Sequence, residues 1–241
     1  MDSGLLMQYA DDMGIALSEE KALLMTEYGE YILSENERIN LTSIKDGEDF
    51  IIKHILDSLL VAALAEGNRT VADVGTGGGF PGVIMKIYQP ALSMTLIDSV
   101  EKKLKAVKRI CDELKIMVNT VHGRAEDLGK GELREKIDIV TARAVAPLTM
   151  LAEYCLPLVE VKGSFFAMKG YDVKEEIIKA QSTVKTLGGE LQKTVYFELP
   201  KGMRRSIVIY SKTAPTPKGY PRSSKEIKKG IKQHSELKNA T

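Results

Sequence analysis

The sequence predicts an α/β fold in which a mostly parallel sheet carries helices on both faces. From residue 70 onward, short runs rich in β-branched and aromatic residues alternate with amphipathic helical segments, the pattern of βαβ units. A loop with five glycines, VADVGTGGGFPG at 71–82, directly follows the first of these runs. Residues 1–66, by contrast, show helical spacing throughout. We therefore expect a helical N-terminal extension followed by one α/β unit.

Residues 1–66 are expected to form an N-terminal helical subdomain. Apolar residues recur with helical spacing in two long segments, around Tyr28 and around Ile55, and a polar connection (NERINLTSIKDGED) separates them. Ser18 is a suitable N-cap for the first long helix because Glu19 and Glu20 follow it at the positive end of the helix dipole.

Residues 67–212 are expected to form the α/β domain. Its helices are predicted in the segment after Gly79, in EKKLKAVKRICDELK, in PLTMLAEYCLPLV and in KEEIIKAQSTVKTLGG. The predicted strands are TVADVG, SMTLIDS, MVNTVHG, IDIVTARAV and GSFFAMKG, and then QKTVYFELP and RRSIVIYSK, which a short turn joins. The last two strands predict an antiparallel hairpin at the edge of the sheet.

Residues 213–241 are expected to form a basic C-terminal tail. Residues 212–241 hold eight Lys or Arg and two Glu, whereas the rest of the chain has a small excess of acids. This asymmetry favours a polyanionic partner, although a disordered tail that only improves solubility would have the same composition.

The composition indicates a cytoplasmic protein. No apolar run approaches the roughly 20 residues that cross a bilayer, and the N-terminus carries acids where a secretory signal carries Lys or Arg. Cys111 and Cys155 lie inside amphipathic helical patterns, so we expect packed thiols rather than a disulfide. We expect no metal site, no membrane contact and a monomer.

The glycine loop predicts a ligand site at the carboxyl edge of the sheet, where open α/β sheets bind ligands. Two patterns are present: a GxG at Gly75 and Gly77, and a literal GxGxxG at Gly77, Gly79 and Gly82, which is the dinucleotide fingerprint. Asp73 precedes both. A carboxylate there repels a pyrophosphate and attracts a ligand with an ammonium and a sulfonium group, so it favours S-adenosylmethionine.

Two further acids follow predicted strands. Asp98 ends the second strand, where a carboxylate can accept hydrogen bonds from both ribose hydroxyls of either cofactor. Glu126 and Ala125 lie in HGRAEDL after the third strand, where backbone groups can read an adenine edge. Each of these residues alone is equally consistent with an ordinary turn; together they favour an adenosine site.

These residues resemble one family closely, the bacterial small-subunit ribosomal RNA guanine-N7 methyltransferases, also called glucose-inhibited division protein B. The resemblance runs from residue 36 to about 222. It rests on NERINLT, KHILDSLL, VADVGTGGGFPG, LIDS with the following EKK, GRAED, IVTARAVAPL and MKG, in this order and spacing. Residues after YPR depart from the family's usual pattern, so 223–241 inherit no role.

The resemblance implies a class I S-adenosylmethionine-dependent methyltransferase fold, a Rossmann-like seven-stranded sheet with its last strand antiparallel, behind an N-terminal helical extension. It implies transfer of a methyl group to guanosine N7 in 16S ribosomal RNA, either as naked RNA or as a small-subunit particle. Its cofactor contacts correspond to Gly75, Phe80, Ala125, Glu126 and Arg143, with Asp73, Gly77 and Asp98 completing the predicted cofactor site.

The chemistry leaves the catalytic residues open. Guanine N7 carries a lone pair and no proton, so methylation requires in-line positioning and electrostatics more than a general base. His54 and Asp57 lie three residues apart on a predicted helix, and packing or a surface hydrogen bond is the favoured interpretation over a catalytic pair. Asn40 is either a turn residue or a group that lines the pocket.

Several residues are candidates for RNA contact because Arg and Lys bind phosphate and Arg can stack on an extruded base. The candidates are Asn40, His54, Arg143, Lys169, Arg204, Arg205, Lys218 and Arg222. For each cation alone, a solvated surface position is the competing interpretation.

Two other classes of function remain open on the sequence. A nicotinamide-dependent oxidoreductase could use the literal GxGxxG, but the chain has no evident hydride-transfer partner such as a YxxxK pair. A non-catalytic RNA-binding module could use the basic tail and the edge hairpin, but Asp73, Asp98 and the glycines would then have no function.

Overall fold

The computed structural model describes residues 1–65, 67, 69–143, 146–227 and 229. Seven strands form one sheet in the order β3-β2-β1-β4-β5-β7-β6. The strands are β1 (Thr70–Val74), β2 (Ser93–Asp98), β3 (Asn119–His122), β4 (Ile137–Arg143), β5 (Val159–Gly170), β6 (Gly189–Leu199) and β7 (Met203–Lys212). Strands β1 to β5 pair in parallel, and β7 runs antiparallel to both β5 and β6. The predicted α/β sheet with an antiparallel edge hairpin is therefore confirmed.

Most helices lie where the sequence predicts them. The helices are α1 (Ser3–Asp12), α2 (Glu19–Glu35), α3 (Gly47–Phe50), α4 (Asp57–Ala62), α5 (Gly82–Tyr88), α6 (Glu101–Glu113), α7 (Ala125–Leu128), α8 (Leu148–Cys155) and α9 (Lys174–Thr186). However, α3 begins inside the predicted polar connection, and α7 lies in the segment that was expected to be a loop. The Ser18 hydroxyl accepts a hydrogen bond from Lys21 N at 3.4 Å, so the predicted N-cap of α2 is confirmed.

One helical segment differs from the regular α-helix that the sequence predicts. Residues Ile51–Leu56 form a π-helix between α3 and α4, so the chain from Gly47 to Ala62 is a helix with a widened central turn. The apolar residues of the segment still face the core, because Ile51, Ile52 and Ile55 are fully or almost fully buried. Apolar spacing reports which face is buried and does not distinguish a π-turn from an α-turn.

Two hydrophobic clusters cover the two faces of the sheet. The N-terminal helices with α5 and α6 form the first, which includes Tyr28, Phe50 and Phe80 as well as residues of β1, β4 and β7. Helices α8 and α9 form the second against the opposite face. Cys111 is buried in the first cluster and Cys155 in the second, and both are free thiols as expected. The N-terminal helices thus contribute to the core of the sheet itself.

The C-terminal segment after β7 packs onto the structure as far as it is described. Thr216, Pro221 and Ile227 are buried. The rest of the predicted basic tail, residues 228 and 230–241, lies outside the described residues, as do Glu66 at the predicted domain boundary and Ala144 and Val145 at the end of the predicted fourth strand. None of the described helices has the length and apolar character to span a membrane.

Candidate functional site

Asp73 lies at the carboxyl end of β1, with no solvent exposure, at the start of the glycine loop. Its Oδ2 accepts hydrogen bonds from Thr76 Oγ1 at 2.6 Å and Gly82 N at 3.0 Å. Its Oδ1 is buried and has no hydrogen-bond partner among the described residues. Burial raises the pKa of Asp73 to about 6, against the hydrogen bonds that lower it. The unpaired oxygen is a buried acceptor suited to a cationic group.

The glycines of the loop serve two different purposes. Gly75, Gly77 and Gly79 all have positive φ, at 72°, 55° and 86°. A Cβ on Gly79 would lie 2.1 Å from Tyr28 Oη, so this glycine permits α2 to approach the loop. A Cβ on Gly77 would meet nothing closer than Gly75 O at 4.0 Å. Gly77 therefore borders open space, as expected where a backbone faces a ligand.

Asp98 connects the glycine loop to the loop after β2. Its Oδ2 accepts a hydrogen bond from Gly77 N and its Oδ1 accepts one from Val100 N, both at 2.9 Å. Each carboxylate oxygen has a second lone pair, so the group can still accept from ligand hydroxyls. Asp98 is 8% exposed, so a small part of its surface remains accessible.

The third predicted loop lies beside the second. His122 at the end of β3 pairs in register with Asp98, and Gly123 N donates to Asp98 O at 3.1 Å. Ala125 and Glu126 then begin α7 and are 7% and 4% exposed. The three strand ends that carry Asp73, Asp98 and the Ala125–Glu126 pair are thus adjacent at one edge of the sheet.

Phe80 lies in an aromatic cluster beneath the loop. Its ring stacks on His54, with centroids 4.7 Å apart and planes at 12°, and contacts Phe50 and Tyr28 in edge geometry. Phe80 is only 3% exposed. The side chain therefore joins the glycine loop to the N-terminal helices and can offer a ligand little more than the edge of its ring.

His54 and Arg143 form a hydrogen-bonded pair across the two parts of the chain. Arg143 Nη2 lies 2.8 Å from His54 Nδ1, and Arg143 Nη1 donates to Lys53 O at 2.9 Å. Because a guanidinium only donates, Nδ1 accepts, and Nε2 carries the ring proton toward Thr42 Oγ1 at 2.6 Å. Burial and the neighbouring Arg143 lower the pKa of His54 to about 3. The imidazole is therefore neutral at physiological pH.

Asp57 is the carboxylate that offsets the positive charge of Arg143. It is 5% exposed, its Oδ2 lies 3.4 Å from Arg143 Nη1, and its Oδ1 lies 3.9 Å from Arg205 Nε. Burial raises the pKa of Asp57, while Arg143 and Arg205 lower it. His54 and Asp57 thus both contact Arg143, and neither contact was predicted from the sequence.

Most of the predicted RNA-contact residues lie near this edge. Asn40 is exposed in the turn beside the glycine loop, where Leu41 O would lie 3.4 Å from a Cβ on Gly78. Lys169 forms an ion pair with Glu176 at 2.7 Å and donates to Ala146 O at 3.3 Å. Arg204 and Arg205 are neighbours in β7. The guanidinium of Arg204 lies over the ring of Tyr171.

Lys218 and Arg222 belong instead to the C-terminal segment that packs against α7 and α8. Arg222 Nε and Nη2 donate to the two oxygens of Glu153 at 2.9 and 2.7 Å, and Glu153 is 1% exposed. Lys218 is exposed. The guanidinium of Arg222 is therefore engaged within the protein, which favours a structural role over phosphate contact.

Three residues that position the site were not identified from the sequence. Thr76 orients Asp73, Thr42 orients His54, and Tyr28 donates to Gly78 O at 2.7 Å. Thr76 alone carries a sequence signal, because a hydroxyl three residues after a strand-end Asp is well placed to donate to it. The other two contacts bridge 12 and 50 positions of the chain.

Comparison with solved structures agrees with the fold. Two solved structures share the fold at low identity: the YcgJ protein of Bacillus subtilis (TM-score 0.52, 12% identity, covering 67% of this chain and 100% of that chain), and TYW2 of M. jannaschii in complex with AdoMet (TM-score 0.52, 14% identity, covering 66% of this chain and 76% of that chain). At such identities the likeness concerns the fold alone.

Sequence relatives are much closer. Ribosomal RNA small subunit methyltransferase G of Symbiobacterium thermophilum is 42% identical over 230 residues, covering 91% of this chain and 93% of the relative. The protein of the same name from Alkaliphilus oremlandii is 38% identical over 234 residues, covering 95% and 98%. The family model described as rRNA small subunit methyltransferase G matches residues 21–208. The chain therefore belongs to the rRNA small subunit methyltransferase G family, also called GidB.

Proposed function

We propose that this protein transfers a methyl group from S-adenosylmethionine to N7 of a guanosine in small-subunit ribosomal RNA. The relatives named above are small-subunit rRNA methyltransferases, and the geometry at the carboxyl ends of β1, β2 and β3 supports the cofactor. Family membership argues against hydride transfer. The proposal includes a cytoplasmic location, since its substrate is made in the cytoplasm, and a monomeric enzyme, since all of the proposed cofactor-binding residues belong to one chain.

The buried Oδ1 of Asp73 is the observation that carries the cofactor assignment. The residues around it match S-adenosylmethionine better than a dinucleotide, because a buried carboxylate beside the loop repels a pyrophosphate. The open side of Gly77 allows the backbone to approach the ligand, and the spare lone pairs of Asp98 suit ribose hydroxyls. Ala125 and Glu126 would border the adenine.

The cofactor, when bound, supplies an electrophilic methyl group on a sulfonium. The protein's own contribution is positioning and charge. Asp73 favours positive charge at the end of β1, and Arg143, fixed by His54, Lys53 O and Asp57, presents a cation suited to the carboxylate of the cofactor. Phe80 anchors the glycine loop by packing against the N-terminal helices.

The neutral state of His54 is consistent with the proposed reaction. Since guanine N7 has no proton to lose, the enzyme needs no general base, and a histidine with a pKa of about 3 remains uncharged over the range in which enzymes work. His54 holds Arg143 through Nδ1 and is therefore a positioning residue. Asn40, Lys169, Arg204 and Arg205 are proposed to contact the RNA from the same edge.

A ligand-binding experiment tests the cofactor site. S-adenosylhomocysteine should raise the melting temperature of the protein by several degrees at saturating concentration, because it binds only the folded state. Asp98→Ala should lose most of this shift, since the variant removes the ribose acceptor. Lys218→Ala, an exposed position outside the proposed pocket, should retain it. A shift with NADH in place of S-adenosylhomocysteine would contradict the proposal.

A modification assay tests the reaction itself. The full chain, labelled cofactor and unmethylated small-subunit rRNA or small-subunit particles should give N7-methylguanosine at one position. Binding of RNA without methyl transfer to either substrate would support a non-catalytic RNA-binding module instead. Comparison of naked RNA with particles also identifies the form in which the substrate is recognised.

A further inference from the structure

An exposed aromatic and basic cluster lies where β5 ends, beside the proposed site. Tyr171 directly follows β5, and its ring contacts that of Tyr196 in β6 with centroids 5.2 Å apart and planes at 61°. The guanidinium of Arg204 in β7 lies 4.1 Å from the centre of the Tyr171 ring. We call these three residues the tyrosine platform.

Both aromatic rings of the platform are partly exposed to solvent. Tyr171 is 37% exposed and Tyr196 is 41% exposed. Solvent-exposed aromatic surface held in a fixed arrangement is typical of binding surfaces. The remaining faces of these rings are therefore available to a flat, apolar partner.

Arg204 retains its hydrogen-bonding capacity. Within the described part of the chain its guanidinium forms no ion pair and no hydrogen bond, although Glu198 lies opposite it in the hairpin and Asp172 follows Tyr171. A guanidinium that stacks on a ring keeps its N–H donors free in its own plane, where they can bind phosphate, and its outer face can carry a further stacked base.

The platform lies at the same edge of the sheet as the proposed site. Gly170 pairs in register with Arg205, the neighbour of Arg204, and Arg205 reaches Asp57 on the opposite face of the sheet. Lys169, two residues before Tyr171, contacts Ala146 in the loop after β4, three residues beyond Arg143. A chain bound over the platform would therefore extend toward the carboxyl ends of β4 and β5.

We propose that the tyrosine platform stacks an unpaired base of the RNA substrate that flanks the modified guanosine, with Arg204 binding its phosphate. Aromatic surface with an adjacent cation is the chemistry by which proteins bind single-stranded nucleic acid. A target guanosine that must leave its stack requires neighbouring nucleotides to be held in an unpaired state. The inference rests on the proposed function for the identity of the RNA.

Substitutions at Tyr171 test the platform. Tyr171→Ala should raise the KM for unmethylated small-subunit rRNA on the order of 10-fold, the effect typical of one lost stacking contact, with kcat little changed. Tyr171→Phe should restore the KM, because stacking needs the ring and not the hydroxyl. Arg204→Ala should raise the KM and make it less sensitive to salt.

Two controls separate stacking from folding. Leu191→Ala changes an exposed apolar residue (48%) at the other end of β6 and should leave the KM unchanged. The S-adenosylhomocysteine melting shift should be the same in every variant. If the wild-type enzyme is active and Tyr171→Ala has the same KM for the RNA, the proposed role of the platform is wrong. It is also wrong if the variants lose particle binding while they bind naked RNA normally, because the cluster would then contact a protein.

Direct binding distinguishes failure of the platform from failure of the proposed function. A short single-stranded RNA containing 5-iodouridine, irradiated with the full chain and S-adenosylhomocysteine, should crosslink to Tyr171 or Tyr196. If the wild-type protein methylates no small-subunit RNA but forms this crosslink, the proposed function fails and the platform stands. Crosslinks confined to other regions would overturn the platform even in an active enzyme.

Discussion

At the scale of single residues, Asp73 shows how a ligand site can lower the stability of the empty protein. The carboxylate is fully buried and one of its oxygens lacks a hydrogen-bond partner within the described residues. Its folded pKa of about 6 exceeds the usual 3.8, so the folded state binds the proton more strongly than the unfolded chain does. The contribution of Asp73 to the free energy of unfolding therefore decreases as pH rises between about 4 and 6.

Asp73→Asn should make the ligand-free protein more stable near neutral pH, by about 1–3 kcal/mol, because Asn removes the buried charge and can keep an acceptor for Thr76 and Gly82. Urea unfolding of both proteins at several pH values from about 4 to 8 measures the difference. The stability gap should shrink as the pH falls through about 6 toward 4, where the wild-type carboxyl becomes protonated. A stability difference that stays constant across this pH range would contradict the raised pKa of Asp73. Loss of the S-adenosylhomocysteine melting shift in Asp73→Asn would support its proposed contact with the cofactor.

The sequence predicted the positions of the site residues better than their contacts. Asp73 and Asp98 could be assigned because each ends a recognisable strand, and the carboxyl ends of parallel strands meet at one edge. The partner of Arg222 could not be assigned, because Glu153 lies 69 positions earlier and nothing local links them. Likewise, the resemblance suggested Arg143 as a cofactor contact, but only the fold shows that His54 and Asp57 hold it.

At the scale of elements, the contact between α2 and the glycine loop connects the N-terminal helices to the proposed cofactor site. Tyr28 is fully buried, and its hydroxyl donates to Gly78 O. Burial raises its pKa well above the usual value, so the hydroxyl remains a donor. The missing Cβ of Gly79 provides the space that the hydroxyl occupies. The conformation of the loop therefore depends on a helix that precedes the sheet in the chain.

Tyr28→Phe should reduce stability by about 1–3 kcal/mol, because it leaves the buried carbonyl of Gly78 without its donor. It should also weaken S-adenosylhomocysteine binding, since the loop loses a contact that fixes it. Thermal unfolding with and without S-adenosylhomocysteine measures both effects. Tyr31→Phe on the same helix is the matched control, because its hydroxyl meets Glu113 at the exposed surface and its loss should change stability little. Equal effects of the two substitutions would argue against a specific role for Tyr28.

The elements were largely predictable because their signals are local. All seven strands coincide with short β-rich runs that are bounded by turn residues. The edge hairpin was predictable from two such runs with a short connection. The π-helix at Ile51–Leu56 was not predictable, since its apolar residues follow a pattern that an α-helix would also bury. The widened turn precedes Asp57 and contains His54, both of which contact Arg143. Such insertions occur frequently at functional sites.

At the scale of the whole molecule, the C-terminal segment packs back onto the α/β domain. Arg134 donates to Thr216 O and Tyr220 O, Arg222 binds Glu153, and the Ser224 hydroxyl donates to Glu126. Glu126 is also a proposed neighbour of the adenine. Residues 213–227, expected from composition to be tail, therefore include a strap across α7 and α8 that contacts the edge of the proposed cofactor site. Composition could not reveal this, because it reports average charge and not the few contacts that hold a segment.

Arg222→Ala should destabilise the whole protein, because it leaves the carboxylate of Glu153, 1% exposed, without its counter-charge. Since the Arg222 side chain is itself 35% exposed, water can partly replace it, and we expect a loss of about 1–3 kcal/mol. The double variant Arg222→Ala with Glu153→Gln should regain part of the loss, because Gln buries no charge. Chemical denaturation of the wild type, Arg222→Ala, Glu153→Gln and the double variant measures the coupling. Additive effects of the two substitutions on stability would contradict the ion pair. If the double variant recovers stability but still shows a reduced melting shift with S-adenosylhomocysteine, the strap also supports the proposed cofactor site through Glu126.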